Sequence, residues 1–200
     1  MHIIKLLNNS IRKIPTWLVY IILSIPALYY TMALLSNQLG PDPIRSYERI
    51  MGQYGIKLLV IVLVISPLRD ISNINFNKFR RLIGVMSFIY ICLHFLSYLI
   101  LDQSLSIVEL WNDIIKRPYI TLGIISAFFM LLLAITSNNF SIRTLGIIRW
   151  KKLHKFVYII GIGGGLHFLL LTKTWQIEPI IYCTLIASLL FYRIIKFIKN

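Results

Sequence analysis

The sequence predicts an all-α polytopic membrane protein, a bundle of six transmembrane helices. Hydrophobic residues make up 58% of the 200-residue chain and charged residues only 14%, against about 25% charged in soluble domains. Mean hydropathy is +0.76. The charges gather between apolar runs long enough to cross a bilayer, which takes roughly 20 residues per helix. Those runs lack the alternating period of barrel strands, and only helices or closed barrels satisfy every backbone group in lipid. A water-soluble globule is excluded.

The spans are expected at residues 16–36, 54–68, 82–101, 119–136, 153–172 and 177–192. Lys57 lies near the start of the second and can snorkel toward the headgroups. Glu178 and Pro179 stand at the entrance of the sixth, and Arg193 follows it closely. A basic N-terminus with Lys5, Arg12 and Lys13 precedes the first span, and no A-x-A cleavage pattern follows, so that span is expected to be retained. The whole chain, 1–200, is expected to form a single domain. Its connections are short, and no nucleotide-binding motif or extramembrane domain is expected, so chemistry beyond the bilayer would come from a partner. The segment 102–118, with Ile107, Val108, Leu110, Trp111, Ile114 and Ile115 among Glu109, Asp113 and Lys116, reads as an amphipathic helix on the outer surface. No internal repeat is evident.

The chain carries 21 Lys and Arg against 7 Asp and Glu, a net charge of +14. In a membrane chain this excess signals topology before it signals nucleic acid, and no nucleic-acid partner is expected. Six spans put both termini on one side. That side collects fifteen basic residues, from Lys5 through Arg69, Lys78, Arg80, Arg81 and the 143–155 cluster to Lys199, with Asp70 its sole acid; six basic and six acidic residues remain for the other side. The positive-inside rule makes the first side cytoplasmic. Cys92 and Cys183 lie inside apolar runs without a CxxC pattern and are expected as free thiols in lipid or helix packing, with no metal site and no disulfide.

Setting aside His2 at the terminus, the histidines are His94, His154 and His167, all on the third and fifth spans. A neutral imidazole is the commonest axial haem ligand and needs no buried charge. At about 1.5 Å rise per residue, His94 lies roughly 18 Å from the start of its span and His167 roughly 21 Å from the start of its own. Both spans run outward, so the two rings share a level and suit one low-spin haem between them. His154 stands thirteen residues before His167, about 19.5 Å away and 220° out of phase on an ideal helix. Either the helix is rewound between them, for which the glycine-rich run 161–165 offers a place, or the two face different partners. That run has no preceding strand and is no dinucleotide loop; close helix packing is its other role. The plainer readings are hydrogen-bonded bundle residues for His94 and His167, and an interfacial residue for His154. Arg80 and Arg81, with Arg149, Lys151 and Lys152, are topology charges and lipid anchors, or cations for haem propionates, a flavin phosphate or a quinone site near His154.

Several motifs then read together: Gly40-Pro-Asp-Pro43, Ser66-Pro-Leu-Arg69, Arg80-Arg-Leu-Ile-Gly84, Leu93-His94-Phe-Leu-Ser-Tyr98, the run Arg117 to Ser126, and Trp150-Lys-Lys-Leu-His154-Lys-Phe-Val-Tyr158. With them the chain resembles, over nearly its whole length, the MsrQ (YedZ) family. These are haem-binding membrane subunits of periplasmic methionine sulfoxide reductase systems with a ferric-reductase-like transmembrane domain. The resemblance implies a b-type haem protein, with one haem or two, in the bacterial inner membrane. It would pass electrons to a periplasmic molybdopterin methionine sulfoxide reductase and reduce no sulfoxide itself. It implies His94, His154 and His167 as haem ligands, bound FMN with no motif fixing its residues, and an electron donor that is either the quinone pool or a cytosolic flavin reductase. A transmembrane ferric or cupric reductase, or a transporter or structural subunit without redox chemistry, are the competing readings.

Overall fold

The computed structural model describes residues 2–171 and 176–199, and among these it is helical with no strand. Six of its helices are long and apolar enough to cross a membrane. The chain divides into an N-terminal unit ending at Ser104 and a C-terminal unit beginning at Leu105.

The N-terminal unit contains α1 (His2–Lys13), α2 (Thr16–Leu35), α3 (Pro43–Ser72) and α4 (Asn77–Leu96), the last continuing as a π-helical turn over Ser97–Asp102. Its core is the α3–α4 pair, where Tyr47, Met51 and Leu58 meet Leu82, Met86 and Tyr90, covered by Val19, Leu23, Ala27 and Tyr30 of α2. Ser87 Oγ donates to the Gly55 carbonyl at 2.7 Å across the pair. On α2 the buried residue is Ala33 alone, while Trp17, Ile21, Leu28 and Met32 are exposed, as lipid-facing side chains must be.

The second span differs from its expected start. α3 begins eleven residues before position 54, so the outer loop expected over 37–53 reduces to 37–42. Asp42 accepts the Arg45 N–H as N-cap, and Pro43 occupies the first helical turn, where its missing N–H costs nothing. Arg45, Glu48 and Arg49 hide this stretch from a hydropathy reading, although the neighbouring Tyr47 and Met51 are buried.

α1 was not expected as a helix. Asn8 clamps it to the α3–α4 connection, donating to the Asn73 carbonyl at 3.0 Å and accepting the Asn75 N–H at 2.9 Å. Lys78 Nζ donates to the carbonyls of Arg12 and Ile14 at 2.7 and 2.6 Å, satisfying orphan acceptors at the end of α1. Near the start of α3's apolar part, the Lys57 ammonium stands 5.4 Å from the Tyr54 ring.

The C-terminal unit contains α5 (Ile107–Lys116), α6 (Pro118–Ile135), α7 (Asn139–Leu145), α8 (Ile147–Leu153), a 3₁₀ turn over His154–Phe156, α9 (Val157–Leu171) and α10 (Ile177–Lys199). α5 is the amphipathic helix read from the sequence. Its N-cap Ser106 accepts from the Glu109 N–H, and Ile107, Val108, Trp111 and Ile115 are exposed. α9 packs on α6 along one side and on α10 along another.

The fifth span is not one continuous helix from 153. The change of winding falls on His154–Phe156, and α9 runs unbroken through the glycine-rich segment, where rewinding had been considered. Packing holds that segment helical. A Cβ on Gly163 would strike the Ser126 hydroxyl, one on Gly165 would touch Cys183 and Ile186 at 3.4 Å, and Cys183 donates to the Gly165 carbonyl at 3.1 Å. The expected end of this span at 172, and the outer-loop positions 173–175 with Lys173, lie outside the described residues. α10 continues to Lys199, past the expected end at 192. Arg193 stacks 5.3 Å from the Tyr158 ring, and Lys155 stands 5.6 Å from the Phe197 ring.

Candidate functional site

His94 occupies the last turn of α4 and turns its ring onto α3. Its Nδ1 lies 2.9 Å from the Glu48 carbonyl oxygen. α3 reaches this level because it starts at Pro43. His167, on α9, turns onto α6 in the same manner, with Nδ1 2.7 Å from the Tyr119 carbonyl oxygen and its ring 6.1 Å from the Tyr119 ring. Both histidines are half-buried. A carbonyl oxygen only accepts, so the proton of each neutral imidazole sits on Nδ1 and the lone pair on Nε2. This is the tautomer a metal-ligating histidine adopts when a second partner orients it. The Ser97 hydroxyl donates to the His94 carbonyl at 2.8 Å where the π-helical turn begins.

His154 sits differently. Its Nε2 lies 3.3 Å from Thr136 Oγ1, and its ring stacks on Trp150 with centroids 3.9 Å apart. Trp150 Nε1 donates to the Thr136 carbonyl at 2.9 Å, so the pair closes the C-terminal end of α6. Arg80 donates to Ser66 Oγ at 3.3 Å across the α3–α4 pair, and Arg81 is exposed. Arg80 and His94 are fourteen residues apart on α4, about 21 Å along the helix, and His154 and His167 are thirteen apart. Within the N-terminal unit the arginine pair and His94 therefore stand far apart along α4, and within the C-terminal unit His154 and His167 are likewise separated along the chain.

Among the described residues no three His, Cys, Asp or Glu converge as a metal-holding group. A haem asks less, one or two axial imidazoles of the tautomer that His94 and His167 carry. Those two residues fit the group. The sequence reading missed the carbonyls of Glu48 and Tyr119, because a backbone acceptor carries no residue signature. The Asp42-Pro43 helix start was the available signal for the first.

The model of the ferric reductase like transmembrane component family matches residues 50–165, a stretch that contains His94 and His154 and stops two residues short of His167. The protein-methionine-sulfoxide reductase heme-binding subunit MsrQ of Brucella anthropi is 39% identical over 180 residues, covering 90% of this chain and 81% of that protein. The proteins of the same name from Brucella ovis and Brucella canis are each 40% identical over the same shares. No solved structure matches.

Proposed function

The chain belongs to the ferric-reductase-like transmembrane family, and within it to the MsrQ family, and from that premise we propose that it is a haem-binding membrane subunit that carries electrons across the bilayer. The relatives are named as heme-binding subunits of a protein-methionine-sulfoxide reductase. The observation that carries the reading is the pair of histidines in spanning helices, each with its Nδ1 proton committed to a backbone carbonyl. Bound haem iron would supply one-electron Fe(III)/Fe(II) chemistry.

In this reading His94 and His167 are the axial ligands of one b-type haem in the outward half of the membrane, and the chain lies in the bacterial inner membrane with both termini cytoplasmic. The fifteen-to-six division of basic residues supports that orientation. A hydrocarbon core of about 30 Å is too thick for one efficient tunnelling step, so a second station near the inner face is part of the proposal. FMN or a second haem beside His154 would fill it, with Arg80, Arg81, Lys151 and Lys152 on the same side stabilising anionic groups. Electrons enter there, from the quinone pool or a cytosolic flavin reductase, and leave to a periplasmic molybdopterin methionine sulfoxide reductase.

Visible spectroscopy of the purified protein tests this. A reducible low-spin haem spectrum is expected, lost in both His94→Ala and His167→Ala while the protein still inserts. A wild-type protein without haem returns the chain to the non-redox class, and a spectrum retained in both variants removes the ligand assignment.

A further inference from the structure

The two histidines are seated by the same device, one in each unit. Glu48, whose carbonyl takes the His94 proton, is followed four residues later by Gly52, and Tyr119, whose carbonyl takes the His167 proton, is followed four residues later by Gly123. In an α-helix the carbonyl of residue i already accepts the N–H of residue i+4. An imidazole that adds a second bond to this carbonyl uses its other lone pair and approaches beside residue i+4. The side chain at i+4 is therefore what would obstruct it. A Cβ at Gly52 would stand 3.1 Å from His94 Nδ1 and 3.3 Å from its Cε1, and a Cβ at Gly123 would stand 2.7 Å from His167 Nδ1 and 2.9 Å from its Cε1.

We propose that Gly52 and Gly123 are positioning residues for the two imidazoles: their missing side chains let each ring reach its carbonyl, which fixes the tautomer and the plane in which Nε2 is presented to haem iron. The proposal rests on the haem-ligand reading above. It adds residues that act through the two imidazoles, and it ranks them. The clearance at Gly123 is too small for any side chain, whereas at Gly52 the ring needs to yield by only a few tenths of an ångström. Gly164 on α9 supplies the control, because a Cβ there meets nothing within 4 Å. The direction of effect is diagnostic, since Gly→Ala inside a helix ordinarily stabilises.

The test uses the full-length, haem-loaded protein and its Gly52→Ala, Gly123→Ala and Gly164→Ala variants. It measures low-temperature electron paramagnetic resonance of the ferric state, the midpoint potential, haem content and helicity by circular dichroism. Gly164→Ala is expected to match wild type. Gly52→Ala should shift the low-spin g-values and the potential at full haem content, and Gly123→Ala should shift them further or yield a helical protein that has lost its low-spin haem. If Gly123→Ala does not fold, the g-values of Gly52→Ala decide. Wild-type g-values and potential in the folded alanine variants at 52 and 123, with the haem still lost in the histidine variants, would overturn the glycine proposal and leave the ligands standing. A low-spin spectrum retained in both histidine variants would overturn the ligand reading itself, and the glycine proposal with it.

Discussion

The Tyr90 hydroxyl accepts the backbone N–H of Ala27 at 3.1 Å and donates to the Leu23 carbonyl at 2.8 Å, occupying the place of a hydrogen bond internal to α2. Ala27 would bond Leu23 in an unbroken helix, and Pro26 beside it opens the ladder. One α4 side chain thus closes a gap in α2 while its ring stacks on Tyr54, with centroids 5.2 Å apart. Tyr90→Phe keeps the ring and leaves both backbone groups without this partner, at a cost of about 1–3 kcal/mol. Thermal unfolding in detergent should show a lower midpoint with helicity retained at low temperature. An unchanged midpoint would mean that α2 recloses its own ladder.

Charge neutralisation addresses the proposed entry of electrons. Arg80→Gln with Arg81→Gln should slow reduction by a quinol or a cytosolic flavin reductase several-fold, while dithionite reduces the haem as in wild type. Donor-driven reduction at the wild-type rate would leave these arginines as topology charges only, with Arg80 also tying Ser66 to α4.

For His154 two variants separate its contacts. His154→Ala should lose part of the haem absorbance or disturb an inward cofactor. Thr136→Val removes only the hydroxyl 3.3 Å from Nε2, keeps the carbonyl that Trp150 binds, and should retain the haem. Equal haem loss in both would mean that His154 acts by closing the end of α6.

Topology is checked by labelling a cysteine introduced at 149, in the exposed turn of α8. It should react only with reagents that reach the cytoplasm, and reaction from outside intact cells would reverse the orientation. Position 78 is the poorer reporter, because Lys78 holds the end of α1.

Hydropathy made all six spans legible, because exclusion of unpaired backbone from lipid leaves little else for such a composition. It failed where helices carry charge. The first turns of α3, with Arg45, Glu48 and Arg49, and the last turns of α10, with Arg193, Lys196 and Lys199, read as loops although both continue as helix. α1 was lost for the same reason. The histidines were visible because ionisable groups stand out in apolar runs. What holds them was not, since the partners are main-chain oxygens and an absent Cβ. The spacing shared by Glu48 and Gly52, Tyr119 and Gly123, acquires meaning only when each ring is seen against its neighbouring helix.

In both units the acceptor is synthesised before the ring that needs it: Glu48 precedes His94 by 46 residues, and Tyr119 precedes His167 by 48. A polar imidazole N–H released into hydrocarbon without a partner is costly, by about 2–7 kcal/mol for a comparable polar group. When α4 leaves the ribosome α3 has already been made, and when α9 follows α6 has as well. Each histidine therefore enters the membrane after the helix that will take its proton, so order of translation spares the nascent chain an orphan donor at either position.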